Sequence, residues 1–132
     1  MRGLIIVGRL ATGIGQGRHF TRLDWARRQF IDRLGIDPFP GTLNLAVHDP
    51  ASLDVWTRLA ATPGIRIDNP NDGPHDCDAR CYPVLVEGRY QAAVVLPEVG
   101  GYPLDSIEII SATGLREALG IADGAAVRLE IG

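Results

Sequence analysis

Lysine is absent from this chain, all 13 of its basic residues being arginine. Any anion must therefore be held by guanidinium forks or backbone N–H groups, and the lysine of a Walker-type phosphate loop is missing. Cysteine is scarce: Cys77 and Cys81 are the only two, too few for a disulfide scaffold, and they read as reduced thiols. Together with His75 they form no recognised zinc-ligand spacing. No apolar run is long enough to span a bilayer, and the start, Met1 to Arg9, has no small-residue cleavage site, so neither membrane insertion nor secretion is expected. An excess of positive charge is also lacking. The net charge of −3 argues against a nonspecific nucleic-acid or anionic-membrane binder. The expectation is one cytoplasmic, monomeric domain spanning residues 1–132, with no internal repeat.

What is present reads as mainly β with short helices. The β-branched residues of Gly3–Ala11 predict a first strand, and Leu43, Leu45 and Val47 alternate with polar residues in a second. Ile65 and Ile67 mark a brief strand. Ala79–Glu87 and Arg89–Leu96 predict a hairpin turning at Glu87-Gly88, and Ser106–Ile110 and Ala126–Ile131 two further strands. Helices are predicted at Leu23–Leu34, stopped by Gly35; at Ala51–Ala61, entered through Asp49-Pro50; and at Thr113–Leu119, capped by Ser111 or Thr113 and ended by Gly120. Asp68 to Asp76 is polar and turn-rich, an exposed loop.

Four segments carry possible chemistry. In Pro38-Phe39-Pro40-Gly41-Thr42-Leu43-Asn44 two prolines stiffen the approach to a glycine free to take positive φ. Thr42 and Asn44 would then project a hydroxyl and an amide carbonyl from one face of a strand. Such a segment serves either as a turn entering an edge strand or as a pair of hard oxygen ligands for a cation such as Mg²⁺. Gly13-Ile14-Gly15-Gln16-Gly17-Arg18 is either a flexible hairpin or a loop turning successive N–H groups and an arginine toward an anion. It lacks the spacing of the dinucleotide fingerprint. Glu108 interrupts an apolar strand, so its carboxylate belongs on an exposed or cavity-lining face; buried unpaired, it would have a raised pKa. The N–H groups opening the helix at Thr113-Gly114-Leu115-Arg116, with the Arg116 guanidinium, offer a second place for an anion or the polar edge of a base.

Read together, Gly13–Arg18, Leu34–Asn44 and Ile107–Arg116 resemble the archaeal-type CTP-dependent riboflavin kinases, with elements in the same order from about Leu4 to the C-terminus. The Pro-Gly-Thr-Leu-Asn run is the most specific part of that likeness. The resemblance implies a six-stranded cradle-loop (RIFT-related) β-barrel and Mg-dependent phosphoryl transfer from CTP to the ribityl 5′-hydroxyl of riboflavin, giving FMN and CDP. It further implies nucleotide contacts from Gly13, Ile14, Gly15, Gln16, Gly17 and Arg18 and from Thr113, Gly114, Leu115 and Arg116. Metal ligation by Thr42 and Asn44, a catalytic and flavin-side role for Glu108, and a flavin contact at Gly100 follow in the same way.

This chain departs from the family pattern in two places. Gln16 stands where the glycine loop commonly carries Glu, and Gly100-Gly101-Tyr102 aligns with a flavin loop that commonly has Thr, an aromatic residue and His. The lost hydroxyl at Gly100 keeps two other readings in view: the same machinery acting on another small alcohol, or a non-catalytic flavin- or nucleotide-binding barrel.

Overall fold

The computed structural model describes residues 3–11, 23–71, 73 and 76–132. The Gly13–Arg18 loop, and Asp72, Pro74 and His75 of the polar loop, lie outside the described residues. Among those described, the strands are β1 (Ile5–Ala11), β2 (Leu43–Ala46), β3 (Ile65–Ile67), β4 (Ala79–Val86), β5 (Tyr90–Pro97), β6 (Ser106–Ile110) and β7 (Ala126–Ile131). Pairing is antiparallel throughout and runs β4-β5-β6-β2-β1-β7. The sheet closes where Val84–Val86 of β4 meets Leu129–Ile131 of β7. Closure leaves a six-stranded barrel with no free edge along that seam. The short β3 adds to the other half of β4, with Ile65 opposite Cys81.

Alternation explains the inside of the barrel. Ile6 and Leu10 of β1, Leu43 and Leu45 of β2, Ile107 and Ile109 of β6, and Val127 and Leu129 of β7 all point inward into one buried cluster. Gly8 falls in the same inward phase, and a Cβ there would sit 2.8 Å from Leu45 Cβ. The glycine is thus what lets Leu45 pack against β1. The β4–β5 hairpin turns through Glu87 and Gly88, both at positive φ (54° and 66°) as a type I′ turn requires, with Arg89 N–H donating to Val86 O.

A second apolar cluster lies outside the barrel wall, where Ala26 and Phe30 cover Ala79, Cys81, Ala93, Val95 and Ile110. The covering helix, α1 (Asp24–Gln29), differs from the expected single α-helix over Leu23–Leu34, because Phe30–Leu34 continues as a π-helical turn. Gly35, at φ 70°, closes that turn with Gly35 N–H on Ile31 O and Ile36 N–H on Phe30 O. The widened turn ends with Phe30 and Ile36 both buried in the same cluster. Trp25 packs at its edge.

Helix α2 (Pro50–Ala60) starts as its sequence predicts: Asp49 caps it, accepting from Ser52 N–H at 3.1 Å. Ser52 Oγ donates to Asp49 at 2.8 Å and accepts from Val7 N–H at 2.9 Å, which satisfies a β1 donor. Trp56 is buried and meets Tyr82 edge to face at 5.7 Å. The last helix, α3 (Leu115–Leu119), begins two residues later than expected and is capped by neither Ser111 nor Thr113. Gly114 occupies the cap position, while Ser111 Oγ donates to Gln91 O (2.8 Å) and accepts from Thr113 N–H (3.3 Å), tying the exit of β6 to β5. No helix among the described residues is long and apolar enough to cross a membrane.

Candidate functional site

The double-proline segment is held from both sides. Arg27 of α1 grips the Asp37 carboxylate through two hydrogen bonds of 2.8 and 3.0 Å, which pulls the Asp37 pKa below its ordinary value. Two residues on, Phe39 N–H donates to Ser111 O at 2.8 Å. Gly41 then takes φ 97°, a conformation open to glycine, and β2 begins at Leu43.

Behind this turn a cleft of about 670 Å³ opens between the Phe39–Asn44 segment, the end of β1 and α3. Its floor is the apolar rim of the barrel, Leu10, Leu43 and Ile109, with Leu115 beneath α3. Its polar groups come from Thr42, Asn44, Ser111, Thr113, Arg116 and Glu117. The cleft therefore gathers Thr42, Asn44, Thr113, Gly114, Leu115 and Arg116, six residues singled out from two distant stretches of sequence. Arg116 is not free within it: its guanidinium pairs with Asp123 at 2.9 Å.

Asn44 also belongs to a second alignment. Strand register sets Ala11 opposite Asn44, Asn44 opposite Glu108, and Glu108 opposite Val95. Directly opposed residues share a face, with Cβ atoms roughly 4.5–5.5 Å apart, so Glu108 and Asn44 stand side by side. Their inward-pointing neighbours, Leu43, Leu45, Ile107 and Ile109, take the barrel interior. Ala11, the last described residue before the glycine loop, ends β1 beside Asn44.

Glu108 is not an exposed carboxylate. It is only 8% exposed, does not line the cleft, and makes no hydrogen bond or ion pair with any described residue. Val95, its register partner on β5, belongs to the cluster that α1 covers. Burial raises its pKa above the ordinary carboxylate value. Tyr102 is the residue that sequence reading passed over as a site group. Half-buried against the core, it has its phenol pushed up to about 12 by burial and by the Glu108 charge, so it remains an O–H donor near that carboxylate. Gly100 and Gly101, at φ 79°, form the exposed turn before it, and Gly100 has open space around it. The described part of the Asp68–Asp76 loop is tied to β3 and β4 through Arg66 and Asp78 and contributes nothing to the cleft.

The donor set suits a hard cation. Neither Thr42 Oγ1 nor Asn44 Oδ1 is hydrogen-bonded to a described residue, while the Asn44 amide nitrogen donates weakly to Thr42 O at 3.4 Å, leaving both oxygens available. Neutral oxygen ligands with room for water and phosphate match the preference of Mg²⁺. By contrast, Cys81 is buried, its thiol pushed up to about 12, and no cluster of three His, Cys, Asp or Glu among the described residues would hold a metal.

The closed antiparallel barrel thus carries at one rim a helix-flanked cleft that gathers Thr42 and Asn44, with the buried Glu108 opposite Asn44, and its family is identifiable. Residues 10–131 match the family model CTP-dep_RFKase, described as a domain of unknown function, DUF120, and the chain belongs to that family. It is 40% identical over 129 residues to a riboflavin kinase of Methanosarcina barkeri, covering 97% of this chain and 56% of that protein. Similarity to the riboflavin kinase of Methanosarcina acetivorans is 41% over 122 residues, covering 92% and 51% of the two chains. For the riboflavin kinase of Saccharolobus solfataricus the figures are 33% over 132 residues, 99% and 75%. The chain thus spans about half the length of the two Methanosarcina relatives.

Proposed function

We propose that this chain is a CTP-dependent riboflavin kinase that transfers the γ-phosphoryl group of CTP to the ribityl 5′-hydroxyl of riboflavin, yielding FMN and CDP. The observation that carries the reading is the transverse row on β2 and β6, where Asn44, two residues from Thr42, stands directly opposite Glu108. Phosphoryl transfer asks little covalent chemistry of a protein and depends on positioning and charge neutralisation. Among the described residues lining the cleft the only basic side chain is Arg116, already paired with Asp123, so phosphate charge must be met from elsewhere. Mg²⁺ would supply that neutralisation when bound, with Thr42 and Asn44 the residues that hold it.

The remaining work falls to the chain's own groups. Glu108, unpartnered and raised in pKa, orients the acceptor hydroxyl and takes its proton as the oxygen attacks the γ-phosphorus and the β–γ bridging bond breaks. Tyr102, whose phenol stays protonated beside the Glu108 charge, would hold the acceptor on the Glu108 side. The apolar floor of Leu10, Leu43 and Ile109 excludes water from one side of the cleft. Gly100 favours a second reading, in which another small alcohol is the acceptor, because no side chain projects from the turn that precedes Tyr102.

Incubation with riboflavin, Mg²⁺ and each nucleoside triphosphate in turn, with FMN separated chromatographically, tests the reading. FMN is expected with CTP, and folded protein that makes none refutes it. Thr42→Ala and Asn44→Ala are each expected to reduce turnover by at least about 100-fold, the scale on which lost charge stabilisation acts. A non-catalytic flavin binder would show no turnover to lose and would keep its flavin affinity.

A further inference from the structure

Phe39 is an exposed aromatic side chain that is nevertheless held still. Phe39 is 51% exposed and forms part of the cleft wall, whereas among the described residues no other exposed large apolar side chain lines the cleft. An isolated exposed phenyl on a flexible loop would mean little. Here the backbone is fixed by Pro38 and Pro40 and pinned by the Phe39 N–H bond to Ser111 O. The ring tip also lies against Gly114: a Cβ added there would sit 3.1–3.3 Å from three of its atoms, so a larger residue would have to push the ring aside by a few tenths of an ångström. The backbone that carries the ring is therefore set in folding, and the residue stays half-exposed on the cleft wall.

We propose that Phe39 is a stacking platform for the base of the nucleotide, with Gly114 as its seat. This deepens the kinase reading and rests on it. The donor base is favoured over the flavin ring because Phe39 shares its wall with Thr113 to Arg116, while Glu108 and Tyr102, on the acceptor side, do not line that cleft. Stacking reads a flat π surface and not a hydrogen-bond pattern, so Phe39 supplies affinity for a base, and the choice among bases falls to polar groups of the cleft.

Binding of Mg-CTP to the whole chain, in wild type, Phe39→Ala, Phe39→Trp and Gly114→Ala, tests this directly, with riboflavin affinity read from flavin fluorescence and inorganic tripolyphosphate as a base-free competitor. Phe39→Ala is expected to weaken CTP roughly 5- to 150-fold, the range seen when a base loses an aromatic partner. Riboflavin and tripolyphosphate binding should not change, and Phe39→Trp should restore CTP affinity and show fluorescence quenching on CTP addition. Gly114→Ala should weaken CTP by displacing the ring. Unchanged CTP affinity in Phe39→Ala, an equal loss for tripolyphosphate, or a loss confined to riboflavin would each overturn the stacking role while leaving the kinase reading standing. A folded wild type that binds no CTP would overturn both.

Discussion

Replacing Glu108 by Gln separates catalysis from stability at one position, because the two should move in opposite directions. The side chain keeps its shape and polarity and loses only its charge, in a place 8% exposed and without a hydrogen-bond or ion-pair partner among the described residues. As the proposed base, Glu108 contributes on the order of 10²- to 10⁴-fold to turnover, and Glu108→Gln should lose that factor. Stability should rise. Burial lifts the folded-state pKa above its ordinary 4.5, so between the unfolded and folded values the native state binds more protons than the unfolded one, and wild-type stability falls as pH climbs through that window. Each unit of elevation costs about 1.4 kcal/mol at a pH above both values, roughly 4–7 °C in Tm for a chain of this size. Thermal melts of both proteins at pH 4 and pH 8, in chelator and without ligands, check this. The variant's advantage should be larger at pH 8 than at pH 4. A variant that melts below wild type at pH 8, or a gap that shrinks as pH rises, would show that Glu108 is compensated by an interaction and not simply desolvated.

Two further outcomes follow from packing and capping. Gly8→Ala places a methyl 2.8 Å from Leu45 Cβ and 3.2 Å from Ala46 O. Overpacking of this kind costs about 1–3 kcal/mol, partly offset by the lower chain entropy of alanine, so a melt should show Tm lowered by roughly 3–10 °C. Asp49→Ala removes the α2 cap and the acceptor that orients Ser52 toward Val7. A loss of about 1–2 kcal/mol is expected by urea unfolding at an unchanged m-value, and a loss near zero would mean that water replaces the cap.

Much of the chain was legible from local pattern, since strands and turns are decided by side-chain alternation and by backbone freedom at single residues. The β-branched runs, the Glu87-Gly88 turn and the Asp49-Pro50 entry to α2 all lie where the sequence predicts them. The double-proline motif marked Thr42 and Asn44 for the same reason: two rigid residues and a glycine set their own geometry. Where sequence reading erred, tertiary packing had outweighed local preference. Phe30 and Ile36, both buried beneath one cluster, go with a π-helical end to a helix that looked regular, and Gly114, seated under Phe39, starts α3 two residues late.

The partnership of Asn44 with Glu108 belongs to the fold alone. These residues are far apart in the chain, and nothing in their spacing says that β2 inserts between β1 and β6; only the closed strand order sets them opposite one another. The burial of Glu108 is of the same kind, because desolvation depends on what other elements lay over a strand and not on the strand's own residues. Residue types along the chain determined which groups were available for chemistry, since donors, acceptors and stiff turns are local properties. Which of them meet, and how far each is withdrawn from water, was decided by barrel closure and tertiary packing.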